Sequence, residues 1–239
     1  MAEDTVSIVM PAYNEANSVE GTVNGIIEML ESEGIEHQII VSEDGSTDGT
    51  KKVLERLESE GKITAAKGHE RQGYTGALKK GVEQVESDYV LFMDGDGQYY
   101  PEDFLDLWEK RDEAEAVIGR REDRADSFDR RLISNAFQLV VEKTVESPDL
   151  GDMTSSFRLV EASVAEEVIP EIEHMRDSSW TEFGLRSYNK GYEQLEVPVR
   201  HRERPGEGDT RIYHFTNLPA VVFRQLIGLW KLRKELKKE

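Results

Sequence analysis

What most constrains this chain is an alternation repeated through its first 120 residues: a short β-branched and apolar run, a polar loop, then an amphipathic helical pattern. Parallel strands need a crossover and a helix is the usual one, so this order predicts an α/β fold with a mainly parallel sheet flanked by helices. Strands are predicted at Val6 to Pro11, His37 to Ser42, Ile63 to Ala66, Tyr89 to Asp94 and Ala116 to Gly119. Between them Ile26, Ile27 and Leu30, then Val53, Leu54 and Leu57, then Leu78, Val82 and Val85 recur at helical spacing. Asn17 with Glu20 resembles a capping box for the first helix, and Gly34 its stop.

Beyond residue 120 the pattern loosens. A charged loop from Arg120 to Arg131 leads into an apolar helix carrying Leu132, Ile133, Ala136, Phe137, Val140 and Val141. A further helix is predicted over Thr181 to Lys190 and an alternating strand at Gln194 to Val199. No linker or repeat divides the chain, which predicts one domain over residues 1–213 and a segment of different character over 214–239.

That segment is apolar from Leu218 to Trp230 but interrupted by Pro219, Arg224 and Gln225, and it falls short of the roughly 20 apolar residues of a membrane span. Lys231, Arg233, Lys234, Lys237 and Lys238 follow, giving an amphipathic, basic helix that either lies on an anionic membrane interface or packs on the domain. The rest of the chain is acidic: 49 Asp and Glu against 30 Lys and Arg leave a formal charge of -19. Such a field repels polyanions and argues against a nucleic-acid partner, and it reads as adaptation to high salt. With no cysteine, disulfides and thiolate metal sites are excluded. No signal-peptide pattern precedes Val6, so the cytoplasm is the expected compartment.

Ligands of an open parallel sheet sit beyond the carboxyl ends of its strands. Here those positions hold Pro11-Ala12-Tyr13-Asn14-Glu15, Glu43-Asp44-Gly45-Ser46-Thr47-Asp48-Gly49-Thr50 and Asp94-Gly95-Asp96-Gly97-Gln98. Asp94 and Asp96, separated by one glycine and followed by another, can turn carboxylates to one point, which suits Mg²⁺ or Mn²⁺ with positions left for phosphate oxygens. Asp44 is placed to accept hydrogen bonds from a base or ribose, Tyr13 offers a face for a nucleobase, and Glu15 a further acceptor. Arg71-Gln72-Gly73-Tyr74-Thr75-Gly76-Ala77 reads as the glycine-containing start of a helix, where backbone N–H groups around Gly73 and an arginine meet a diphosphate.

These three loops, in this order and spacing, resemble the inverting family 2 glycosyltransferases of GT-A fold, and within them the dolichyl-phosphate mannose and glucose synthases, over about Val6 to Tyr213. The resemblance implies a GT-A, Rossmann-like sheet. It implies that Pro11, Ala12, Tyr13, Glu15 and Asp44 hold the donor nucleoside, and that Asp94, Asp96 and Gln98 arrange the metal and diphosphate. Gly119-Arg120-Arg121, the pair Arg130 and Arg131, Asp152-Met153-Thr154-Ser155-Ser156-Phe157-Arg158 and the stretch Arg204 to Arg211 match segments that close over donor and acceptor, so Arg121, Arg131 and Arg211 would meet phosphates. Glu43-Asp44 replaces the family's common pair of aspartates, and Gly208-Asp209-Thr210-Arg211 replaces a Gly-x-Ser-Lys pattern, a change of geometry as well as of residue.

The implied reaction moves a hexose from a nucleotide diphosphate sugar, UDP-glucose or GDP-mannose, to a polyprenyl (dolichyl) phosphate at the cytoplasmic face of the membrane, for protein glycosylation. A phosphate acceptor is already ionised, so positioning matters more than a base. Where a hydroxyl is the acceptor, Glu182, in Trp180-Thr181-Glu182-Phe183, or Asp152 is the candidate base. A soluble transferase acting on a saccharide or protein hydroxyl, and a catalytically silent membrane-associated binding module, remain alternatives. A sugar nucleotidyltransferase would need a glycine-rich basic loop after the first strand, which Pro11 to Glu15 is not.

Overall fold

The computed structural model describes residues 4–67, 71–122, 137, 139–203 and 218–238. Its seven-stranded sheet has the order β3-β2-β1-β4-β6-β5-β7. The strands are β1 (Val6–Ala12), β2 (His37–Glu43), β3 (Thr64–Lys67), β4 (Tyr89–Phe92), β5 (Ala116–Arg121), β6 (Arg158–Glu161) and β7 (Gln194–Val199). β1, β2, β3 and β4 pair in parallel, as do β5 and β7, while β6 runs antiparallel to both β4 and β5. The helices are α1 (Val19–Ser32), α2 (Thr50–Ser59), α3 (Gly73–Val82), α4 (Phe104–Trp108), α5 (residues 139–144), α6 (Ala162–Val168), α7 (Ser179–Asn189) and α8 (Leu218–Leu236).

The period of two along each strand divides the apolar side chains between two faces. Val6, Ile8, Met10, Leu91 and Leu159 pack with Val23, Ile26 and Leu30 of α1 and Leu54 and Leu57 of α2. Their neighbours Val9, Val90, Phe92 and Val160 face Leu78 and Val82 of α3, Val164 and Val168 of α6, and Trp180 and Phe183 of α7. Strands buried on both faces read as the continuous apolar runs seen in the sequence.

The five predicted strands of the first half are present to within two residues at either end; β4 closes at Phe92, two residues early, leaving Asp94 in the loop. Gly34 follows α1 as expected, but that helix starts at Val19 with Ser18 as N-cap and no side-chain capping bond, so the Asn17–Glu20 box does not form. β6 and α6 are additions to the sequence reading. Of the apolar helix carrying Leu132 to Val141, most lies outside the described residues; Val141 is buried, whereas Leu139 and Val140 are exposed.

α8 packs on the domain by one face. Leu229, Leu232 and Leu236 join Ile118, Met153, Met175 and Leu185 in a third apolar cluster. On its other side Val222, Phe223, Leu226, Ile227 and Trp230 are exposed, Phe223 by 65%. No helix among the described residues is long and apolar enough to cross a membrane. The boundary at 213/214 lies outside the described residues.

Candidate donor and cation site

The three polar loops meet at the carboxyl edge of β1, β2 and β4. The first two are laced together: Asn14, in left-handed backbone at φ 57°, donates its N–H to Ser46 Oγ (3.0 Å) and accepts Thr47 N–H on Oδ1 (2.7 Å). The Glu15 N–H donates to Thr50 Oγ1 (2.8 Å), the Asp44 N–H to the Ala12 carbonyl (3.1 Å), and the Ser46 N–H to the buried Glu43 carboxylate. Asp48 receives the Ala16 N–H and both donors of Thr50; burial pushes its pKa up, but these bonds outweigh it and hold the group below its ordinary value. Glu15 accepts the Ser18 hydroxyl at 2.9 Å.

Asp44 is 4% exposed. Its Oδ1 accepts the Gln72 and Gly73 N–H groups at 2.7 and 3.1 Å, which fixes the start of α3 beside the second loop. Gly73 sits at φ 78°, a conformation that costs any L side chain, so glycine is what lets this N–H face Asp44. Asp44 Oδ2 lies 3.8 Å from Arg71 Nε, and the Arg71 guanidinium stands 3.8 Å over the Tyr13 ring. A planar cation stacked on an aromatic ring, with a carboxylate beside it, is a surface suited to a nucleobase and its sugar.

One residue into α3, Tyr74 donates its hydroxyl to Asp94 Oδ1 (2.9 Å), and Ser156 donates to Asp94 Oδ2 (2.7 Å). Asp96 accepts the Gln98 N–H at 3.0 Å. Asp94 and Asp96 are both half-buried on this short loop, and carboxylate oxygens are the donors that a hard divalent cation takes. Among the described residues, Glu173, His174 and Glu235 form the one trio of such groups close enough to share an ion; there Glu235 accepts from His174 and Arg186.

Gln98 is tied to residue 202: its side-chain Nε2 donates to the Arg202 carbonyl (3.1 Å) while its backbone carbonyl accepts the Arg202 N–H (3.0 Å). With the Tyr99–His201 bridge, this stitches the aspartate loop to residues 201 and 202, the approach to the basic loop. Arg131 and Arg211 lie outside the described residues.

The acids proposed as bases are engaged elsewhere. Asp152, 3% exposed, takes Arg121 Nε (2.7 Å) and Nη2 (2.9 Å) in a two-pronged pair joined by Thr154, so the acid and the arginine expected at a phosphate neutralise one another. Glu182 is fully buried, and it accepts the N–H groups of Glu173, His174 and Met175 as well as Arg186 Nε. A carboxylate so saturated fixes the 173–175 turn to α7, with its accepting positions taken up by the protein itself.

Arg158, Trp180, Tyr74 and Ser156 lie in segments singled out from sequence but have no individual role there. The fully buried Arg158 guanidinium lies 4.6 Å from the Trp180 ring and donates to the Ser155 and Met153 carbonyls, so the 152–157 loop wraps around it. Burial lowers its pKa to about 10, still charged at neutral pH.

A family model described as Glycosyl transferase family 2 matches residues 7–169. The undecaprenyl-phosphate 4-deoxy-4-formamido-L-arabinose transferase of Edwardsiella ictaluri (strain 93-146) is 29% identical over 219 residues, 89% of this chain and 65% of that protein. The chain thus spans somewhat less than two thirds of that relative. Among solved structures, mannosyl-3-phosphoglycerate synthase from Rubrobacter xylanophilus superposes with a TM-score of 0.67 at 16% identity, covering 99% of this chain and 76% of the other. Glucosyl-3-phosphoglycerate synthase from Mycobacterium tuberculosis, in complex with Mn²⁺, UDP-glucose and phosphoglyceric acid, gives 0.67 at 18% identity, covering 98% and 81%. At these identities the likeness is one of fold, the GT-A architecture.

Proposed function

We propose, since the chain belongs to glycosyl transferase family 2, that it transfers a hexose from UDP-glucose or GDP-mannose to a polyprenyl phosphate at the cytoplasmic face of a membrane, in the service of protein glycosylation. The observation that carries this is the meeting of Tyr13 with Arg71, Asp44 and the Asp94–Asp96 loop on one sheet edge, joined through the start of α3. Tyr13, Arg71 and Asp44 hold the nucleoside, with Pro11, Ala12 and Glu15 shaping the floor. A Mg²⁺ or Mn²⁺ ion held by Asp94 and Asp96 would neutralise the diphosphate as it leaves. Arg131 and Arg211 complete the phosphate side in this proposal.

The acceptor assignment is supported from two directions. The Edwardsiella relative acts, by its name, on undecaprenyl phosphate. Asp152 and Glu182 are both held by arginines and backbone donors, an arrangement compatible with an acceptor that arrives ionised and needs no base. The exposed stripe of α8, with Lys231, Lys234, Lys237 and Lys238 beside it, supports a resting place on an anionic leaflet for a protein otherwise strongly acidic. Residues 1–213 then form the transferase domain and 214–239 its membrane-facing segment.

The test incubates the purified chain and Mn²⁺ with each donor, giving it either a polyprenyl phosphate in anionic vesicles or a free saccharide. Labelled sugar in the lipid fraction, lost in Asp96→Asn, is the expected result. Donor consumed only with the saccharide overturns the acceptor, and no consumption with either overturns the enzyme reading in favour of a binding module.

A further inference from the structure

We infer that Tyr74 is a positioning residue for the cation site, the link through which the nucleoside side of the crevice orients the carboxylate of Asp94. The inference rests on the reading of Asp94 as a cation holder and goes beyond it.

The geometry is a continuous chain of donors. Asp44 Oδ1 takes the N–H groups of Gln72 and Gly73, and the next residue is Tyr74, whose hydroxyl donates to Asp94 Oδ1 at 2.9 Å. Trp180 Nε1–H donates to the Tyr74 oxygen at 2.9 Å, so the phenol's own hydrogen is directed to Asp94. The ring is held edge-on to Trp180 with centroids 6.4 Å apart, and Thr75 and Ser179 join α3 to α7 through their hydroxyls at 2.7 Å. Ser156 approaches Asp94 Oδ2 from the opposite side.

Two hydroxyls, one on each oxygen, fix the plane of the Asp94 carboxylate. Partners of this kind that orient ligating carboxylates typically change metal affinity by roughly 10–100-fold when removed.

The test is Tyr74→Phe, which keeps the ring and deletes the hydroxyl. Binding of UDP and of GDP is measured by calorimetry in Mn²⁺ and in EDTA, with Asp94→Asn alongside. The expected result is roughly tenfold weaker binding in Mn²⁺, with the EDTA affinity held within about twofold. A purely structural role would weaken both alike, and that outcome overturns the proposal, as does wild-type behaviour in both. Wild-type protein whose nucleotide binding ignores Mn²⁺ overturns the cation reading and this proposal together. Mn²⁺ dependence removed by Asp94→Asn but untouched by Tyr74→Phe overturns the Tyr74 proposal alone. Should Tyr74→Phe not fold, Ser156→Ala probes the other oxygen of Asp94, where the same Mn²⁺-selective loss is expected and its absence counts against the proposal.

Discussion

Between residues 11 and 98 the loops at the sheet edge are held mainly by uncharged donors: Asn14 with Ser46 and Thr47, Glu15 with Thr50, backbone N–H groups on Asp44, hydroxyls on Asp94. Beyond residue 115 the corresponding ties are buried charge pairs, Asp152 with Arg121, Glu182 with Arg186, and Arg186 in turn with Glu235. The first kind of tie fixes a carboxylate through neutral donors; the second consumes the charge within the protein. An acid in the second half is therefore poor evidence of chemistry, however well its sequence neighbours match a motif.

The hardest test of this contrast is Glu182→Ala. If Glu182 is the anchor described, its loss takes one carboxylate from a buried arginine and the acceptor from three backbone N–H groups, and should cost about 3–5 kcal/mol in denaturant unfolding. Turnover falling at unchanged stability would break the contrast and restore a base. A smaller effect is expected at the border of the uncharged half. Gly73→Ala imposes a β-carbon on left-handed backbone and should cost about 1–2 kcal/mol, with weaker nucleotide binding because the N–H on Asp44 shifts. No change in either would mean that this tie is not what fixes α3.

The least effect should come from acid. Burial raises the Glu235 pKa, but the bonds from His174 and Arg186 outweigh it and leave the group below its ordinary value. A depressed carboxylate adds stability that is full above the ordinary glutamate pKa, about 4.3, and disappears as pH falls through the lower folded value. With Glu235 39% exposed, and Glu171, Glu173 and Glu182 also facing His174 or Arg186, solvent screening keeps the contribution under about 1 kcal/mol. Thermal midpoints of the wild type and Glu235→Gln should differ at pH 7 and converge below pH about 4; a gap that widens on acidification would break this reading of Glu235.

The uncharged half was also the legible half. A parallel strand buried on both faces writes itself as an apolar run, and the loop after it announces the sheet edge, so β1, β2 and β4 and their loops could be read residue by residue. β6 could not: it is four residues beginning with a buried arginine, Arg158, and it inserts antiparallel between strands distant in sequence. The Asp152–Arg121 pair spans 31 positions and left no local trace. For Glu182 there was a signal, because Arg186 lies four residues on, the spacing of a helical ion pair. Tyr74 was part of a quoted segment, but the partner that gives it meaning is 20 residues away in another loop.

Where α8 crosses the turn before α7, Gly228 lies against the His174 carbonyl, closer than any β-carbon could approach. The helix consequently has a single azimuth: rotating it by one residue would drive a side chain into that oxygen. Phe223, Leu226, Ile227 and Trp230 are thus held on a fixed bearing from the body of the molecule. Any flat apolar phase that admitted them would meet the domain at one tilt, and the crevice would open at a set height above it.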